Sequence, residues 1–237
     1  MSAVKQAGAP LAIFGDLDGD LWGVVIGGER SQSAVGRLTE AGLELRAAEL
    51  DTADDEVWTL TGAGCDLRVE RADATTASAE GDRELDPCRV SGSVALDGNR
   101  REFDVGGVRS SSLTADGRDS IRVFAAWFAA GHELGMVAAR PKGANGHDRD
   151  SVDVVARGEE HALVVDPRLS TTYDAAGAPR RVGLELWLGD DPDGELWPRR
   201  VAGASTGSTV AGAGLSAYAF ECVSRGEPGA GIYLLLR

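Results

Sequence analysis

The chain has 237 residues and a formal net charge of −14, from 38 acidic and 24 basic side chains. Because nucleic acids and anionic membranes require a clustered basic surface, this charge argues against both as the main partner. Hydrophobic residues make up 43%, too many for a disordered chain, and the 32 glycines predict many turns.

Short apolar runs alternate with Gly, Asp, Asn or Pro at intervals of roughly 8–12 residues, a spacing typical of β-sandwiches and β-barrels. Tight hairpins are indicated by turns such as Asp97-Gly98-Asn99, because Gly and Asn tolerate positive φ. We therefore predict an all-β protein of antiparallel strands. In chain order, the predicted strands are Leu11–Phe14, Leu21–Ile26, Ala34–Leu38, Leu43–Ala47, Val57–Leu60, Asp66–Glu70, Arg89–Leu96, Arg101–Val105, Ser120–Phe128, Glu133–Ala139, Val152–Ala156, Ala162–Val165, Val182–Leu188, Glu195–Val201, Leu215–Val223 and Gly231–Leu235.

The polar segment Arg71–Pro87 has few large apolar side chains and is the best candidate boundary in the chain. We predict an N-terminal β-barrel half over residues 1–86 and a C-terminal β-barrel half over residues 87–237. The segments 141–150 and 203–209 are rich in polar residues, glycine or serine, and they are predicted to be loops.

The cysteine pattern and the absence of targeting signals predict a cytoplasmic location. No apolar run approaches the roughly 20 residues that span a bilayer, and the first ten residues lack the pattern of a secretory signal. Cys65, Cys88 and Cys222 are an odd number with no CxxC pair, which predicts reduced thiols in or near a core. We expect no metal site and no cofactor, and the sequence predicts no particular oligomeric state.

Residues 14–22 contain Asp16 and Asp18 and resemble the aspartyl-phosphate loop of haloacid-dehalogenase-type phosphatases. In that family, the first carboxylate is a nucleophile and both lie near magnesium. This chemistry requires a parallel sheet with alternating strands and helices, whereas the predicted elements are strand after strand. The stretch is therefore interpreted as a hairpin, and a magnesium-dependent phosphatase using Asp16 and Asp18 is kept as an alternative.

His132 is the most informative of the three histidines. At the start of a predicted strand, it shares one face with Leu134, Met136 and Ala138. If that face lines a cavity, His132 is a polar group among apolar ones. The alternative is a hydrogen-bonded histidine near a turn.

The segment Val90–Arg140 carries a family resemblance. Its Gly92–Gly98 part matches a "G-x-V-x-V-D-G" strand and hairpin, and Gly106–Leu113 takes the place of a "G-x-G-x-R-D-H-x-W-G" motif. Trp127-Phe128 and Val137–Arg140 supply the strands that follow. The segment thus resembles the lipocalin-like family of carotenoid 1,2-hydratases and AttH-type proteins. The resemblance implies antiparallel lipocalin-like barrels, two halves packed together, which enclose an apolar small molecule such as an isoprenoid or a polyketide.

The resemblance implies cyclisation or hydration of that molecule, but this chain departs from the motif. The family's Asp-His pair falls on Ser110 and Ser111, and two serines near neutral pH cannot by themselves protonate an alkene. A non-catalytic carrier, or a structural β protein whose barrel is filled by its own side chains, is therefore the alternative function. The candidate catalytic residues are Asp104, Arg109, Asp119 and His132, and the candidate ligand-lining residues are Trp127, Phe128 and Met136.

Overall fold

The computed structural model describes residues 8–17, 20–28, 31–37, 44–62, 64–78, 84–114, 116–128, 132–144, 150–158, 162–189, 199–212 and 215–236. Every regular element in these ranges is a β-strand, which confirms the predicted fold class. No helix in them is long and apolar enough to cross a membrane. The strands are β1 (Ala9–Asp16), β2 (Leu21–Ile26), β3 (Gln32–Gly36), β4 (Arg46–Ala47), β5 (Glu49–Asp51), β6 (Val57–Gly62), β7 (Cys65–Arg71), β8 (Thr76–Ser78), β9 (Asp86–Leu96), β10 (Asn99–Leu113), β11 (Arg118–Phe128), β12 (Glu133–Pro141), β13 (Ser151–Arg157), β14 (Ala162–Tyr173), β15 (Pro179–Leu188), β16 (Arg199–Gly212), β17 (Leu215–Ser224) and β18 (Glu227–Leu236).

The first sheet has nine strands in the order β4-β3-β2-β1-β10-β9-β7-β6-β5. Its edge strands β4 and β5 are separated in the chain by Ala48 alone, and the Ala48 N–H donates to the Ser31 carbonyl at 3.0 Å. The sheet therefore curls until its two edges lie side by side. The hairpin from β9 to β10 turns at Asp97 and Gly98, both with positive φ, as the sequence predicts.

The second sheet is a closed barrel in the order β11-β12-β13-β8-β14-β15-β16-β17-β18. Its strands are antiparallel except for β8, which runs parallel to β14. The chain reaches β8 between two strands of the first sheet, so a short segment from the N-terminal part completes the barrel.

Three apolar clusters hold the two sheets together and fill them. One lies inside the barrel and includes Phe124, Met136 and Phe220. A second fills the concave side of the first sheet. The third lies between the sheets, where Ile13 and Trp22 of the first sheet pack with Val123, Val137 and other barrel residues. Fully burying such a side chain contributes about 1.5–3 kcal/mol, so the inter-sheet cluster fixes how the two sheets pack.

The structure corrects one of the predicted loops and places a strand in the predicted boundary segment. The stretch 203–209 lies within β16, where most of its residues pair with β17. Large side chains of neighbouring strands fill the space beside Gly203, since a Cβ there would contact Val182, Phe220 and Cys222. Within the polar segment Arg71–Pro87, residues Thr76–Ser78 form β8. Cys65, Cys88 and Cys222 are buried and form no disulfide, as predicted.

A division into domains after residue 86 stays a prediction. The two sheets divide later in the chain, because β9 and β10 pair with β7 and β1 of the first sheet. The chain passes from the first sheet to the barrel between Leu113 and Arg118, with β8 as the one described strand that crosses in advance.

Candidate functional site

A cleft of about 260 Å³ opens between the first sheet and the barrel. The end of β1 and the middle of β10 form one wall, and the end of β11 and the start of β12 form the other. We call it the inter-sheet cleft. Its lining residues are Gly15, Asp16, Leu17, Asp104, Val105, Gly106, Trp127, Phe128, His132 and Glu133. Four of the seven predicted site residues, Asp104, Trp127, Phe128 and His132, therefore lie together.

Glu133 is the acidic residue placed deepest in this wall. It opens β12 and alternates with Gly135 and Val137, so its side chain faces the first sheet rather than the barrel interior. Glycine at positions 106 and 135 allows the two sheets to approach closely here. A Cβ on Gly135 would lie 2.2 Å from a methyl carbon of Val108, which is too close for any side chain.

Burial is the main electrostatic influence on Glu133. It raises the pKa of this carboxyl group to about 7, because the charged form loses hydration that the protein replaces only in part. The Arg157 guanidinium, 3.9 Å from Oε2, and the backbone N–H of Gly107 act in the opposite direction but are weaker. A carboxyl group with this pKa can both donate and accept a proton near neutral pH.

His132 lies beside Glu133 at the mouth of the cleft and is about one-quarter exposed. Its carbonyl accepts a 2.9 Å hydrogen bond from the Phe128 N–H, which closes the connection between β11 and β12. Its Nδ1 lies 3.8 Å from Oε2 of Glu227. Its Nε2 is buried and has no hydrogen-bond partner in the part of the chain that the structure describes. One ring nitrogen of His132 therefore lies near the Glu227 carboxylate, and the other has no hydrogen-bond partner among the described residues.

Asp104 lies at the rim of the cleft, in a different electrostatic state. It forms a bidentate ion pair with Arg89, and the Arg89 hydrogen bond holds its pKa below the usual range. Asp104 is therefore ionised near neutral pH and bound to Arg89. The group suited to proton transfer in this cleft is Glu133 instead.

Trp127 supplies the aromatic surface of the cleft, whereas Phe128, which also borders it, packs with the apolar cluster inside the barrel. Both are almost fully buried, and the Trp127 indole N–H donates to the Gly106 carbonyl at 3.1 Å. This bond links β11 of the barrel to β10 of the first sheet. The large π faces near the cleft can stabilise a developing positive charge.

Three predicted site residues lie outside the cleft. Arg109 points into the core of the first sheet, with its guanidinium 4.4 Å above the Trp58 ring and a hydrogen bond to the Asp55 carbonyl. Asp119 is exposed at the opposite end of β11 and accepts from the Gly143 N–H. At about 3.3 Å per residue, this places it roughly 26 Å along the strand from Trp127. Met136 is buried among the barrel's interior side chains.

Ser110 and Ser111 occupy the positions where the resembled family has Asp-His. Ser110 is buried and Ser111 is exposed, since they are consecutive residues of β10 and point to opposite faces. Neither lines the inter-sheet cleft.

Asp16 belongs to the cleft, but not to a phosphatase site. It ends β1, a strand antiparallel to both of its neighbours, β2 and β10. The parallel strand–helix architecture that an aspartyl-phosphate loop requires is therefore not the architecture of this sheet, which argues against the phosphatase alternative. Asp18 lies outside the described residues.

Glu133 is the residue that sequence reasoning missed. The predicted strand Glu133–Ala139 includes it, and it is the one charged side chain in an otherwise apolar stretch. A single charged residue in an apolar strand indicates a buried functional group, and this was the signal that the sequence offered. Its burial depends on the opposite sheet, which no local pattern describes.

Several solved structures share this fold, and their matches cover nearly the whole chain. CghA, crystallised with Sch210972, matches with a TM-score of 0.64 at 11% identity, over 97% of this chain and 87% of that chain. Kievitone hydratase from Nectria haematococca matches with a TM-score of 0.57 at 11% identity, over 97% and 89% of the two chains. An AttH-like protein from Nitrosomonas europaea matches with a TM-score of 0.57 at 11% identity, over 99% and 94%.

No protein-family model and no curated protein sequence matches this chain. At 11% identity, the structural likeness establishes the lipocalin-like fold. The activity has to be argued from the residues of the cleft.

Proposed function

We propose that the chain is a lipocalin-like enzyme of the hydratase or cyclase type, which acts on an apolar small molecule in the inter-sheet cleft. The observation that carries the proposal is Glu133, a buried carboxyl group with a pKa of about 7 on the cleft wall. The hydratase among the proteins of the same fold supports the reaction class.

Hydration of an alkene in this cleft uses Glu133 first as an acid. The carboxyl proton is transferred to one alkene carbon, and positive charge develops on its neighbour beside the aromatic ring of Trp127. A water oxygen bonds to that carbon and releases a proton to the Glu133 carboxylate. The net change is addition of one water, and the enzyme regains its starting state.

Cyclisation needs the same groups but no water. A second alkene of the substrate attacks the cationic carbon, so a ring bond forms and the charge moves to the far carbon of that alkene. A carbon next to this new cation then loses a proton to Glu133, and a new double bond forms. The product is an isomer of the substrate. Access of water to the cation therefore determines which reaction occurs, and Trp127 and Phe128 limit that access.

The substrate class is an isoprenoid or a polyketide-like polyene, as the family resemblance implies. The cleft of about 260 Å³ is below the roughly 300–1,000 Å³ that encloses a whole drug-sized ligand. It therefore holds the reacting end of such a molecule, with the remainder outside.

The test uses unsaturated isoprenoid alcohols, such as geraniol and nerolidol, in isotope-labelled water with product detection by mass spectrometry. Hydration adds the mass of one labelled water, whereas cyclisation gives a new compound of unchanged mass. We expect Glu133→Gln to lower the rate by about 100-fold or more, the usual contribution of a general acid. Asp104→Asn, at the rim of the same cleft, is the matched control and retains activity.

A non-catalytic carrier is the second candidate, and the serine pair at positions 110 and 111 favours it. A carrier binds the isoprenoid but forms no product, and Glu133→Gln leaves its binding unchanged. That combination of results would overturn the enzymatic proposal.

A further inference from the structure

A second cavity, of about 540 Å³, opens through the wall of the barrel and is separate from the inter-sheet cleft. It lies between β13 and β14, and none of its lining residues belongs to the cleft. The lining residues are Arg122, Asp150, Val152, Asp166, Pro167, Arg168 and Leu169. We call it the barrel side cavity.

The cavity lies beyond the pairs that β8 makes with its two neighbours. This strand spans Thr76–Ser78 and pairs only with residues 155–156 of β13 and 162–164 of β14. Beyond those pairs, in the described ranges, no strand lies between Val152 on one side and Pro167 on the other.

Arg122 is the charged group at the inner end of the cavity. It alternates with Phe124 and Ala126 along β11, so it shares the barrel-facing side of the strand, and its side chain is 4% exposed. Its guanidinium donates to Asp150, which also accepts a 3.0 Å hydrogen bond from Nε of Arg140. The Nε of Arg122 is buried and has no hydrogen-bond partner among the described residues.

A buried guanidinium donor without an acceptor costs free energy unless a ligand supplies one. Asp150 is engaged by both arginines, so it cannot also serve the Arg122 Nε–H as that group is placed. At the rim, Asp166 is already bonded to Arg168, with an Nε–Oδ2 distance of 2.9 Å. The Arg122 Nε–H inside the cavity therefore lacks a hydrogen-bond acceptor, and an oxygen atom of a ligand could supply one.

Part of the cavity wall is apolar. Val152 and Leu169 line it, and both pack against the apolar cluster inside the barrel. The volume lies within the roughly 300–1,000 Å³ typical of small-molecule sites. A short hydrocarbon segment fits beside Val152 and Leu169, and an acidic group matches the Arg122 donor.

We propose that the barrel side cavity binds an apolar monocarboxylate, with its carboxylate on Arg122 and its hydrocarbon chain along Val152 and Leu169. Arginine is the side chain best suited to a carboxylate, since its donors are planar and permanently charged. The site is independent of Glu133 and of the reaction proposed for the inter-sheet cleft.

The test compares octanoate with octanol, which have the same number of carbons and differ in the acidic group, by calorimetry and by the rise in melting temperature. Octanoate is expected to bind the wild-type chain with one equivalent and about tenfold or more tighter than octanol. Arg122→Gln is expected to lower octanoate affinity to that of octanol. Arg168→Gln, an exposed arginine at the rim, changes it by less than about twofold.

Two further variants keep the proposal falsifiable if Arg122→Gln fails to fold. Val152→Trp fills the cavity and is expected to weaken both probes, and Glu133→Gln is expected to leave octanoate binding unchanged. Equal affinity of wild-type protein for octanoate and octanol would overturn the proposal. So would loss of octanoate binding in Glu133→Gln, because the probe would then occupy the inter-sheet cleft.

Discussion

The carboxyl group of Glu133 occupies the space that a side chain at Gly106 would need. A Cβ placed on Gly106 would lie 1.6 Å from Oε1 and 1.9 Å from Cδ of Glu133. These two residues belong to different sheets, so the absence of a side chain on β10 is what lets a barrel carboxyl group reach its buried position.

Gly106→Ala is expected to displace the Glu133 carboxyl group and destabilise the protein by about 1–3 kcal/mol, the usual cost of overpacking. Urea unfolding measures this loss. In a Glu133→Ala background the same substitution should cost much less, because the group that it displaces is gone. A double-mutant cycle with additive free energies would contradict the contact.

The raised pKa of Glu133 makes stability depend on pH in a defined window. The unfolded carboxyl group releases its proton near pH 4.5, whereas the folded one keeps it up to a pKa of about 7. Between these values the folded state holds more protons, so this group's contribution to stability falls as pH rises and is level above the folded pKa. The fall is on the order of 3 kcal/mol.

Glu133→Gln removes this titration, so the difference in unfolding free energy between wild type and variant isolates it. We expect the variant to gain stability relative to the wild type from pH 5 to about pH 7.5, measured by urea unfolding at several pH values. A difference that does not vary with pH would show that the carboxyl group is hydrated.

Trp127→Phe is expected to destabilise the packing of the two sheets by about 1–2 kcal/mol, because it leaves the Gly106 carbonyl without the indole donor. Trp187→Phe is the matched control. The Trp187 indole N–H has no hydrogen-bond partner in the described part of the chain, and its ring lies under Arg168. Thermal unfolding should show a larger loss of stability for Trp127→Phe than for Trp187→Phe. Equal losses of stability would contradict the role assigned to the Trp127 hydrogen bond.

The strands could be predicted because their signals are local. Leu21–Ile26 is predicted and observed with the same bounds, and Asp97 and Gly98 form the expected tight turn. The loop predicted at residues 203–209 is wrong, because Gly and Ser are typical of loops and the side chains that fill the space beside Gly203 belong to other strands.

The candidate site was predictable only in part. His132, Trp127 and Phe128 are near one another in sequence, so a single strand connection brings them to one cleft. Arg109 was assigned to the site on its motif position alone, and the pleat of β10 turns it into the core of the first sheet. The burial of Glu133 required knowledge of which strand of the other sheet faces it.

The parallel strand β8 has a consequence for folding. The Val154 N–H donates to the Ser78 hydroxyl across 76 positions of sequence, so the barrel closes through contacts of very long range. Such contacts form late, because the chain must lose loop-closure entropy before the contact contributes any stabilisation. The C-terminal strands can assemble early as an open sheet, but β13 and β14 keep exposed edges until the N-terminal part arrives. During synthesis and refolding, that open sheet is the species most prone to edge-to-edge association.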